Sequence, residues 1–65
     1  MRRNLREKRR AIERLEDRQR HVLARAQAVE ARGGQATYDR AEASALEWVL
    51  ELARADLAAT DRKAS

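Results

Sequence analysis

The sequence predicts an all-α protein, an antiparallel αα-hairpin made of two long helices. Apolar residues recur at intervals of three and four through most of the 65-residue chain, which is the spacing of one face of an α-helix. There is no proline, and the only two glycines, Gly33 and Gly34, are adjacent and near the middle. Because glycine reaches left-handed backbone angles at little steric cost, this pair predicts a helix end and a turn. Residues 1–65 are expected to form a single domain.

The first helix is predicted over about residues 3–32, with either Asn4 as an early N-cap residue or a start nearer Met1. Its apolar residues fit a heptad frame in which the positions facing the second helix are Leu5, Ile12, Leu15, Gln19, Val22, Ala26 and Val29. Gln19 is the polar member of this set. It either fixes the register and the oligomeric state of a bundle, or the helix rotates far enough for Gln19 to reach water.

The turn is predicted over residues 33–37 and the second helix over about residues 38–60. Thr37 is the candidate N-cap residue, and Asp39 and Glu42 follow it where carboxylates suit the helix dipole. Residues 61–65 are polar and are predicted to form a fraying tail.

The second helix carries two adjacent apolar stripes, which together cover about 220° of its circumference, more than one neighbouring helix can bury. The first stripe is assigned to the seam with the first helix and consists of Tyr38, Ala41, Ala45, Trp48, Leu52 and Ala55. The second is assigned, together with Leu23, to an oligomer interface and consists of Leu46, Val49, Leu50, Ala53 and Leu57. A second copy of the chain would cover this second stripe, so the hairpin is predicted to pair into a homodimeric four-helix bundle.

Composition also favours self-association. Half of the 28 hydrophobic residues are alanine, so a lone hairpin has little core for its length, and chains this small usually need a disulfide, a metal or a partner. The absence of cysteine excludes disulfides and thiolate metal sites, and a single histidine, His21, argues against zinc. No cofactor or metal is expected.

The charge is unevenly distributed. Residues 1–32 hold 11 basic and 5 acidic side chains, whereas residues 33–65 hold 4 and 6. Opposite signs favour the two helices lying side by side, and arginines four apart form a continuous row on the first helix. The predicted contacts to an anionic partner are Arg2, Arg3, Arg6, Arg9, Arg10, Arg14 and Arg18.

No constellation of nucleophile, base and acid is present, and no phosphate-binding loop or zinc spacing occurs. We therefore do not expect an enzyme or a small-molecule substrate. No apolar run is long enough for a signal peptide or a membrane span, so we expect a cytoplasmic protein without a membrane partner.

These observations predict a non-enzymatic adaptor or regulator that self-associates and presents its basic N-terminal arm to an anionic partner, first of all an acidic protein surface. Two alternatives stay open. In the first, the chain is a nucleic-acid-binding helical bundle that contacts phosphates through its N-terminal arginines. In the second, it is a purely structural oligomerisation module.

Overall fold

The structure, a computed structural model, describes residues 4–64. Helix α1 spans Leu5–Ala31 and helix α2 spans Thr37–Ala64. The two helices pack against each other as a hairpin, with Lys8 beside Asp56 and Arg25 beside Asp39, so they run antiparallel. The molecule measures 50 × 20 × 15 Å. The predicted all-α hairpin is confirmed.

Asn4 caps the start of α1, which is one of the two starts that the sequence leaves open. Asn4 has an extended backbone, and its side-chain oxygen accepts a hydrogen bond from the Glu7 N–H at 2.9 Å. Its carbonyl accepts the first helical bond, from the Lys8 N–H at 3.0 Å. Asn4 is therefore the N-cap residue, because it satisfies a backbone donor that the helix itself leaves unpaired.

The end of α1 explains why two glycines are needed. The Gly34 N–H donates to the Val29 carbonyl and the Gly33 N–H to the Glu30 carbonyl, both at 3.0 Å, which is the pattern of a Schellman motif. Gly33 has φ +81°, a conformation that is strained for other residues. A Cβ on Gly34 would lie 2.8 Å from Val29 Cγ1. The first glycine thus supplies a backbone angle and the second allows a close approach.

The second helix differs from the prediction in its N-cap residue and in where it ends. The Ala36 carbonyl, not that of Thr37, accepts the first helical bond, from the Arg40 N–H at 2.8 Å, so the connection covers residues 32–36. At the other end, α2 continues past Thr60 to Ala64 instead of fraying. Arg62 and Lys63 lie in its last turn, where positive charge opposes the negative end of the helix dipole.

The predicted seam residues of α1 lie buried or half-buried in the contact between the helices. Ile12, Val22 and Ala26 are buried, and Val22 is fully excluded from solvent. On the α2 side, the buried residues of this part of the chain are Ala36, Ala43 and Leu50, of which Leu50 is fully excluded. The core is therefore a single seam between two helices.

The predicted faces of α2 are interchanged. Tyr38 is 91% exposed, Trp48 63% and Leu52 55%, and the other predicted seam residues of α2, Ala41, Ala45 and Ala55, are exposed too. The seam is instead formed by residues assigned to the oligomer interface: Leu50 is buried, Leu46, Ala53 and Leu57 are half-buried, and Val49 lies at the edge with 36% exposure. Leu23, also assigned to that interface, is half-buried.

Ion pairs across the seam support this choice of face. The leucine-rich stripe of α2 consists of Leu46, Val49, Leu50, Ala53 and Leu57. Asp39 and Glu42 lie on the same side of α2, and they pair across the seam with Arg25 and Arg18. Turning α2 by half a rotation would bury Trp48 but would carry both carboxylates away from α1. Both faces offer apolar surface, so the flanking ion pairs favour the leucine-rich one.

Candidate interaction surfaces

Ion pairs connect the two helices along the whole seam. Pairs between α1 and α2 within residues 4–64 include Lys8–Asp56 at 2.7 Å, Arg9–Asp61 at 3.9 Å, Glu16–Arg54 at 2.9 Å, Arg18–Glu42 at 2.7 Å, Arg25–Asp39 at 2.8 Å and Glu30–Arg40. A further pair, Asp17–Arg20, lies within α1. Exposed pairs are individually weak, but each one here also specifies which residues of the helices face each other.

Two arginines that the sequence assigns to an anionic partner are engaged within the hairpin. Arg18 donates to both carboxylate oxygens of Glu42, at 2.7 and 3.2 Å, and Arg9 pairs with Asp61. Arg2 and Arg3 lie outside the described residues. The predicted basic row is therefore shorter in the folded chain than in the sequence.

Arginine neighbours lower the pKa of three carboxyl groups in the seam. Hydrogen bonds from Arg25 hold the pKa of Asp39 below its ordinary value, and those from Arg18 and Arg40 do the same for Glu42 and Glu30. The Asp39 side chain is only 16% exposed, so solvent screens its pair with Arg25 less than the others. Each of these carboxyl groups binds its proton less readily in the folded chain than in the unfolded chain.

This depression predicts that acid destabilises the hairpin. A group with a lowered folded pKa contributes stability above its unfolded pKa and loses it as the pH falls through the folded value. The thermal midpoint, followed by circular dichroism, should stay level from neutral pH to about pH 5 and fall below about pH 4, where Asp and Glu take up protons. Asp39→Asn should lower the thermal midpoint at pH 7 and reduce the fall of the midpoint at acid pH. A wild-type midpoint that is unchanged between pH 7 and pH 3 would contradict the prediction that acid destabilises the hairpin.

The basic ridge, defined here as Arg6, Arg10 and Arg14, remains unpaired. All three side chains are exposed, and none makes an ion pair or a side-chain hydrogen bond within residues 4–64. They are four residues apart, so they follow one another at intervals of about 6 Å along α1. Arg10 and Arg14 also border a shallow open groove of about 530 Å³, whose other lining residues are Glu7, Ala11 and Leu15.

The apolar stripe covers the outer face of α2. Its members are Tyr38, Ala41, Ala45, Trp48, Leu52, Ala55 and Ala59. They alternate at intervals of three and four residues without a polar interruption, and all are exposed. This is the heptad spacing with which a helix packs along another helix in a coiled coil.

The basic ridge and the apolar stripe lie on opposite sides of the hairpin. Arg10 and Arg14 lie two residues on either side of the buried Ile12, and Trp48 and Leu52 lie two residues on either side of the buried Leu50. Two residues along an α-helix correspond to a rotation of about 200°. Each surface therefore faces away from the seam, and the molecule has one cationic and one apolar side.

Gln19 connects the helices within one chain. Its amide nitrogen donates to a carboxylate oxygen of Glu47 at 2.8 Å and to the Ala43 carbonyl at 3.4 Å. The side chain is half-buried. It thus holds the two helices in register with each other, and its effect on the oligomeric state stays a prediction.

Sequence reasoning missed the acidic partners of α1, namely Asp39, Glu42, Asp56 and Asp61. The usable signal was the opposite charge of the two halves, together with the heptad spacing of Arg18 and Arg25. Applying it needs the rotation of α2 about its own axis, which hydrophobic spacing alone does not determine.

Comparison with known proteins gives no assignment, because no protein-family model, curated protein or solved structure matches this chain. Within the described residues, neither helix is long and apolar enough to cross a membrane. Over the same part of the chain, no three His, Cys, Asp or Glu side chains are grouped as a metal would require.

Proposed function

We propose that the protein is a self-associating, non-enzymatic interaction module. The apolar stripe of α2 joins two copies, and the basic ridge of α1 is presented to an anionic partner. The observation that carries the proposal is the exposure of an uninterrupted heptad stripe that includes Trp48 and Leu52, while the seam of the same hairpin is already complete.

A second copy of the chain fits the stripe by spacing and by size. From Tyr38 to Ala59 the stripe is about 32 Å long, and four of its seven members are alanine. Small residues let two helices approach closely, and a large side chain such as Trp48 can then pack over an alanine of the other copy. Contiguous apolar surface of this kind is characteristic of protein interfaces.

A lipid surface fits the stripe poorly. Helices that lie on membranes flank their apolar face with Lys and Arg, which anionic headgroups attract. The stripe is bordered by Glu42, Glu51 and Asp56 on its two sides. Glu42 and Asp56 are paired with Arg18 and Lys8, so the carboxylate beside the stripe that would repel anionic lipid is that of Glu51. A protein surface is therefore the better match.

The proposed dimer differs from the one expected from the sequence in which residues form its interface. The two α2 helices meet in the middle of the four-helix assembly, and each α1 lies on the outside. Leu46, Leu50 and Leu57 then stabilise each hairpin, and Trp48 and Leu52 stabilise the pair. The net contribution of the interface depends on how completely water is excluded from it.

Sedimentation equilibrium tests this proposal directly. We expect the mass of a dimer at micromolar concentration and a thermal midpoint that falls on dilution, because association stabilises the folded chain by mass action. A folded monomer whose midpoint does not change with concentration would contradict the proposal.

A further inference from the structure

We infer that the basic ridge binds the phosphates of duplex DNA without sequence preference, and that one dimer joins two duplexes. The first half of this inference follows from the chemistry of α1. The second half rests on the proposed self-association, because it needs two ridges on one particle.

The ridge is suited to a polyanion because its charges are unpaired while those around them are not. Arg9, Arg18 and Arg25 are engaged by carboxylates of α2, whereas Arg6, Arg10 and Arg14 have no partner within the described chain. Guanidinium groups bind phosphate with good geometry. In sequence, residues 1–14 hold seven Lys or Arg and only two Glu, so the whole N-terminal part of the chain is cationic.

The outer face of α1 lacks what a protein partner would require. Protein interfaces draw most of their energy from a few buried aromatic or large aliphatic anchors. The exposed residues on this face include Glu13, Asp17, His21, Ala24, Ala28 and Ala31, besides the ridge itself. Leu15, at the edge of the neighbouring groove, is half-buried. Attraction to phosphate needs no anchor of this kind, because released counterions supply the free energy.

Apart from its own arginines, the ridge has few side chains nearby that suit base recognition. Single-stranded nucleic acid is usually held by stacking on aromatic rings, but Tyr38 and Trp48 are on the opposite side of the hairpin. The amides closest to the ridge are both occupied, since Asn4 caps α1 and Gln19 donates to Glu47. A row of cations about 12 Å long along α1 is suited to contact the phosphate backbone of a duplex.

The arrangement of the two surfaces determines how many duplexes are bound. The ridge and the apolar stripe lie on opposite sides of a hairpin whose cross-section is 20 × 15 Å. Pairing through the stripe therefore directs the two ridges outward in opposite directions, two hairpin thicknesses apart. One straight duplex does not reach both ridges, so each copy holds its own.

The first experiment measures affinity for a fluorescent DNA duplex of arbitrary sequence as a function of salt. Three phosphate contacts per chain give a slope of about −2.7 in a plot of log K against log salt concentration. Replacing Arg6, Arg10 and Arg14 by Gln should remove a contribution of this size. The matched control makes the same change to Gln at Arg20, Arg40 and Arg54, which are paired with carboxylates. This variant should keep the salt dependence of the wild type.

Equal losses in the ridge variant and the control would overturn the inference, as would tighter binding to single-stranded DNA than to the duplex. Binding to polyglutamate but not to DNA would identify an acidic protein as the partner and would likewise overturn it. Circular dichroism of each variant shows whether the hairpin is still folded. If it is not, single Arg→Gln changes, each expected to remove about 0.9 from the slope, replace the triple variant.

The second experiment tests whether one dimer joins two duplexes. Wild-type protein bound to an immobilised duplex should capture a second, labelled duplex from solution. The Trp48→Glu variant should still bind the immobilised duplex and should capture nothing. A dimer that binds one duplex only would overturn the bridging step. A dimer that binds no DNA would refute the whole inference and leave self-association standing, whereas a monomeric wild type would refute the proposed function itself.

Discussion

Replacing Leu50 by Ala should lower the free energy of unfolding by about 2–5 kcal/mol, the usual cost of removing a buried leucine side chain. Leu50 is fully buried between the helices. The single seam offers few other apolar contacts to absorb the cavity, because Ala26, Ala36 and Ala43 are already small. For a hairpin of this size the loss is a large fraction of the total stability. Urea denaturation followed by helical circular dichroism measures it.

Leu52→Ala is the matched control, since it makes the same chemical change two residues further along α2. Leu52 is 55% exposed in the single chain, so the substitution should change the stability of the monomer by no more than about 0.5 kcal/mol. Any larger cost should appear only at concentrations where dimers form and should vanish on dilution. If Leu52→Ala were as destabilising as Leu50→Ala at every concentration, α2 would face α1 with the apolar stripe.

The contrast between these two leucines marks the limit of what the sequence predicts. Local signals suffice for the helices, for Asn4 as a cap and for the Gly33–Gly34 turn, because each depends on residues within a few positions of one another. The face of α2 is a different problem, since two neighbouring stripes are both apolar enough to pack. Hydrophobic spacing cannot rank them.

What ranks the two stripes is the charge beside them. Glu42 is hydrogen-bonded to Arg18, and Asp39 to Arg25, and these pairs exist only when the leucine-rich stripe faces α1. The same reasoning divides the arginine row, because a cation with a carboxylate across the seam is not available to another molecule. The exchanged faces of α2 and the shortened arginine row therefore have one cause: hydrophobic spacing does not give the rotation of α2 about its own axis.

Replacing Trp48 by Glu should weaken the dimer by at least about 100-fold. Trp48 is near the middle of the apolar stripe and is 63% exposed in the single chain, so burial of its ring is available only to a partner. Losing that burial costs about 1.5–3 kcal/mol per side chain, and a symmetric dimer loses it twice. Each 1.4 kcal/mol corresponds to a tenfold change in the dissociation constant, and the new carboxylates also face each other across the interface.

Ala28→Glu is the control for charge, because it adds the same carboxylate at an exposed position of α1 outside the apolar stripe. Its dissociation constant, measured by sedimentation equilibrium, should match that of the wild type. Both variants should keep the helical circular dichroism of the folded hairpin, since neither position contributes to the seam. If Trp48→Glu dimerised as tightly as Ala28→Glu, the apolar stripe would not be the surface that joins the two copies, and the two basic ridges would lose the arrangement that directs them apart.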